Sequence, residues 1–104
     1  MSLPEKLLAA PARSLRPDER ELVEEWLALA GDIGLAYESR RQSDDPALRH
    51  RVVIACHPTQ QPSHVVHAPS GQPLWLVTVI GPPLRVEQFE TLRDALNSIR
   101  PVLD

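Results

Sequence analysis

The stretch Val52–Leu84 reads VVIACHPTQQPSHVVHAPSGQPLWLVTVIGPPL and contains no Asp, Glu, Lys or Arg. In a chain whose charged fraction is 24%, so long an uncharged run marks a segment that hides from water, because ionisable side chains keep to solvent. Its local chemistry is that of strands and turns. Arg51–Cys56 is rich in β-branched residues and stops before Pro58, which predicts a strand. Thr59–Ser63 is a polar connection, and His64–Ala68 predicts a second short strand. Pro69-Ser70-Gly71-Gln72 has the composition of a tight turn. Leu74–Ile80 predicts a third strand, apolar on both faces apart from Thr78, as in a strand covered on two sides. Gly81-Pro82-Pro83 ends it, and Leu84–Phe89 predicts a fourth strand at an edge.

Helical patterns flank this block. Leu3–Ala10 predicts a short helix, with Pro4 tolerated in its first turn and Pro11 ending it. A longer helix starts at Pro17, where Asp18, Glu19 and Glu21 set negative charge at the positive end of the helix dipole. Leu22, Trp26, Leu29, Ile33 and Ala36 or Tyr37 recur at helical steps, widened by Val23, Leu27 and Ala30. Gly31 and Gly34 each weaken such a helix by about 1 kcal/mol relative to alanine. Gly31 either ends the helix or lies within it; the stripe keeps its phase across Gly31, which favours one helix running to about Arg41. Ser43, Asp44, Asp45 and Pro46 break the chain before the first strand. Thr91 is a good N-cap for a last helix whose apolar face is Leu92, Ala95, Leu96 and Ile99, with Pro101 ending it.

The expected fold class is therefore α+β. A three- to four-stranded antiparallel β-meander packs against a long N-terminal helix and a C-terminal helix, in the order α-α-β-β-β-(β)-α, because short connections favour hairpins over crossovers. Residues 1–104 suit a single domain, with residues 1–16 a loosely attached N-terminal arm.

The net charge of −3 argues against a general nucleic-acid binder, which needs cations to neutralise phosphates. Arg13, Arg16 and Arg20 come nearest to a basic cluster, yet Asp18, Glu19 and Glu21 lie among them. Lys6 is the only lysine, a bias that suits a GC-rich bacterial genome. No run approaches the roughly 20 apolar residues of a membrane helix, and Leu7–Ala10 is too short for a secretory core. The single cysteine, Cys56, excludes an internal disulfide and suits a reducing cytoplasm.

Cys56, His57, His64 and His67 suggest metal or nucleophile chemistry. Zinc needs three or four converging ligands, whereas His64 and His67, three apart on a strand, point to opposite faces. A reactive thiol needs a neighbouring cation or helix start, and the sequence offers Cys56 neither. Glu21, Glu24, Glu25 and Glu38 fall mostly off the apolar stripe and read as a solvated helix face. No phosphate loop or dinucleotide fingerprint occurs. No catalytic, metal or cofactor-binding residue is therefore assigned.

Two functional expectations remain. The first is a non-enzymatic domain that works through protein contacts, as a homodimer joined through its uncharged sheet, with Trp75, Val77, Val79 and Val65 at the interface. The second is a ligand-binding or catalytic pocket between the long helix and the sheet, built from Tyr37, Cys56, His64 and His67.

Overall fold

A computed structural model describes residues 12–31, 33–38, 50–56 and 61–103. Helix α1 spans Pro17–Leu29 and helix α2 spans Leu92–Ile99. Between them lie β1 (Ile33–Glu38), β2 (Val52–Cys56), β3 (Pro62–His67), β4 (Trp75–Val79) and β5 (Arg85–Phe89). The five strands form one antiparallel sheet in chain order, so every neighbour in sequence is a neighbour in space. The fold class is α+β with an antiparallel meander, and β5 is the edge strand expected after Pro83. The predicted Leu3–Ala10 helix lies outside the described residues.

The expected long helix is corrected. It begins at Pro17 but ends at Leu29, and Ile33–Glu38 is a strand paired with β2. Ala30 caps the helix through its N–H to the Trp26 carbonyl, and the Ile33 N–H returns to the Ala30 carbonyl at 2.9 Å. The register slips between Ile33 and Leu35, so Gly34 falls at a bulge rather than inside a helix. Pairing satisfies the outer backbone groups of β2, which a helix there would have left open. The helix face is corrected as well. Val23, Trp26 and Ala30 are buried with Glu19, while Leu29 is 53% exposed.

Both helices cover the same face of the sheet. Val23 and Trp26 from α1 and Leu92, Ala95, Leu96 and Ile99 from α2 join Ile33, Val52, Ile54, Val66, Trp75 and Val77 in one core. Helix α1 packs beside β1 and α2, and α2 lies over β4 and β5. Thr91 is the predicted cap: its Oγ1 accepts the Asp94 N–H at 3.1 Å. After α2 the chain folds back, and the Asn97 side chain holds Leu103 from both sides. Its Nδ2 donates to the Leu103 carbonyl at 3.0 Å and its Oδ1 accepts the Leu103 N–H at 2.9 Å.

Candidate functional site

Alternation along each strand divides the sheet residues into two rows of different character. On the helix side, Val52, Val66 and Val77 stand in register, followed by Glu87 on β5. On the other side, Val53, Val65, Thr78 and Val86 stand in register, with Tyr37 at the matching position of β1. These four side chains are each half-buried, and neither helix lies over them.

The expected interface residues therefore separate. Trp75 and Val77 are buried in the core, and Val79, half-buried, packs against it, so all three stand on the helix side of the sheet. Val65 is on the opposite face. Strand β4 is apolar on both faces, as expected, but its outward set is Leu76 and Thr78. Leu76 is fully buried there, beside an equally buried His67.

The two histidines of the expected pocket do not come together. His64 stands opposite Ile54 and Val79 on the helix side, whereas His67 stands opposite Leu76 on the other. Tyr37 faces Val53 in the register and Cys56 faces Ile33, but their side chains lie outside the described set. The His67 Nδ1 lies 3.4 Å from an Arg51 guanidinium nitrogen. Guanidinium can only donate, so Nδ1 is the acceptor and the ring proton sits on Nε2. This contact places one cation, Arg51, at the margin of the uncharged face.

His64 has a hydroxyl beside it, which invites comparison with a nucleophile and its base. The Ser63 Oγ is 2.9 Å from His64 Nδ1 and donates to the Ile54 carbonyl at 3.3 Å. A hydroxyl whose proton is committed to a carbonyl takes its second bond as an acceptor, so the imidazole donates to it. A base must instead receive that proton. The pair thus closes the irregular pairing between Ile54 and Ala55, where the register of β2 and β3 slips. Burial, then the positive charges of Arg100 and Arg85, push the His64 pKa below its ordinary value, with Glu87 opposing. No carboxylate within hydrogen-bond reach orients the ring among the described residues, so the triad logic of acyl transfer is incomplete.

A cleft of about 310 Å³ opens where the first turns of both helices meet, between Arg16, Leu22, Trp75, Thr91 and Arg93. Two helix starts and two lining arginines would suit an anion, but carboxylates stand among them, and Arg16 lies 3.5 Å from Glu19. Arg13 grips Glu19 through two bonds of 3.0 and 2.8 Å, and Glu19 also accepts the Arg16 N–H at 2.8 Å. Arg13 lies over the Trp75 ring, 5.3 Å from its centroid, so the ion pair roofs the tryptophan. Asp18 and Glu90 add further negative charge to the cleft wall. In the sequence Arg13 and Glu19 appear only as neighbours of mixed charge; their pairing needs the turn at Arg16 that brings them together.

Among the described residues, no three His, Cys, Asp or Glu side chains cluster to hold a metal, and no helix is long and apolar enough to cross a membrane. No family of known proteins matches this chain, and neither a characterised protein nor a solved structure shows detectable similarity to it.

Proposed function

We propose that this domain works through protein contacts rather than catalysis, as a cytoplasmic homodimer joined through its sheet. The observation that carries the reading is the row Val53, Val65, Thr78 and Val86, uncharged and half-buried across four strands, over which neither α1 nor α2 lies. Helices α1 and α2 both lie on the opposite face, so among the described residues this half-buried apolar row has no helix over it, and an apolar surface of this kind gains from a partner. A second copy is the partner that is always present at matching concentration, and two-fold pairing is the commonest closed arrangement. His64 and His67 stand on opposite faces of the sheet, which favours this reading over a pocket built on both. The lone cysteine fits a reducing compartment. Light scattering across a wide concentration range tests the reading. A dimer mass is expected, and a strict monomer at the highest concentration would overturn it.

A further inference from the structure

Strand β5 ends the sheet and has a neighbour on one side only among the described residues, so half of its backbone groups face outward. We infer that two copies join edge to edge through β5, antiparallel, about a two-fold axis at Val86. This rests on the self-association proposed above and assigns it a contact at the sheet edge, which continues the uncharged face row into the second copy rather than covering it.

The charges on the strand choose the register. Arg85 and Glu87 sit two residues apart, on the helix side of the sheet, opposite Val79 and Val77. Among the described residues neither forms an ion pair within the chain. An axis at Glu87 would set Glu87 against its own copy, and like charges directly opposite are destabilising. Moving the axis to Val86 sets Arg85 against the partner's Glu87, and Glu87 against the partner's Arg85. Both charges on each strand are then matched. Edge charges often serve to prevent association; here their alternation excludes one register and rewards another.

The other face of β5 agrees with the same axis. Leu84 is 63% exposed, the most exposed large apolar side chain described. With the axis at Val86, the two Val86 side chains meet across it, and each Leu84 lies diagonal to the partner's Val86, within reach in an antiparallel pair. Pro83 has no N–H to give, so pairing stops after Leu84. Val86 is also the last member of the uncharged row, so the two rows become one across the joined sheet.

Charge reversal tests this on the full chain. Arg85→Glu and Glu87→Arg each create two like-charged pairs and are expected to weaken the dimer on the order of tenfold or more. The double variant R85E/E87R restores opposite charges and is expected to return the affinity close to wild type. Sedimentation equilibrium reads the affinity, and circular dichroism with thermal melting confirms that each variant is folded. A wild-type dimer that ignores both reversals would overturn the β5 axis and leave the homodimer reading standing. A monomeric wild type would remove both, and weakening without recovery in the double variant would overturn the register.

Discussion

The indole Nε1 of Trp26 donates a 3.0 Å hydrogen bond to the main-chain oxygen of Arg100, joining α1 to the residue that follows α2. Trp26 is fully buried, so this donor has no water to fall back on. Trp26→Phe keeps most of the ring but leaves the Arg100 carbonyl without that donor. A loss of about 1–3 kcal/mol is expected, and Trp26→Ala should cost about 3–5 kcal/mol through the cavity as well. Urea unfolding curves give both values, and a Phe variant as stable as wild type would show the bond to be immaterial.

Glu19 couples stability to acid. Its burial alone would raise the pKa, but the Arg13 fork, the Arg16 N–H and the charges of both arginines together bring it below its ordinary value. The stabilisation it supplies is present above the unfolded carboxylate range and is lost as pH falls through the lower folded value. Unfolding curves between neutral pH and pH ~3 should therefore steepen below about 4.5. In Glu19→Gln that part of the profile flattens, at a cost near neutral pH of about 1 kcal/mol. Identical profiles for the two proteins would show that the ion pair does not form.

His64 acts in a different window. Its folded pKa lies below the unfolded value, so the folded state prefers the neutral ring. Stability from this source is complete above about pH 6.5 and declines as pH falls toward the folded value. The NMR titration of the His64 ring should have a midpoint below 6.5. Removing the positive charge of Arg85 with Arg85→Gln should raise that midpoint. A midpoint at or above 6.5 in the wild type would contradict the placement of His64 beneath the helix layer.

Gly71 is the third residue of the turn that links β3 to β4. Its φ is +80°, and the Gln72 N–H closes the turn on the Pro69 carbonyl at 3.2 Å. A Cβ at this position would meet no atom within 4 Å, so any penalty is one of backbone conformation alone. Gly71→Ala should cost about 1–2 kcal/mol, and Gly71→Asn less, because Asn tolerates the left-handed region better. Thermal unfolding of the two variants side by side makes the comparison, and equal loss in both would point to a steric cause instead.

The sheet was largely legible because its strands announce themselves twice, by β-branched residues and by the breakers between them. Pro58, Gly71 and Gly81 punctuate the block, and β2, β3, β4 and β5 all fall within a residue or two of the predicted limits. Strand β1 was not legible. Ile33 and Ala36 happen to continue the helical phase of Leu22, Trp26 and Leu29, and a periodicity shared by two elements hides the break between them. Gly31 and Gly34 were the available signal, and the need of β2 for an outer neighbour was the stronger one. The faces of β4 were hard to tell apart for a related reason. When both sides of β4 are apolar, alternation separates Trp75 and Val77 from Leu76 and Thr78 but does not say which pair the helices will cover.

A meander laid down in chain order has a consequence for how the molecule comes together. Each strand pairing closes only the connection before it, the longest being residues 39–51, so hairpins can form and add to one another at modest entropic cost. The helix layer is assembled from opposite ends of the chain, and its Trp26–Arg100 bond spans 74 residues. Docking of α1 against α2 is therefore expected after the sheet is in place, on the late side of the folding barrier. Trp26→Phe should then accelerate unfolding and leave refolding nearly unchanged. Stopped-flow refolding slowed in proportion to the lost stability would place the helix layer in the nucleus instead.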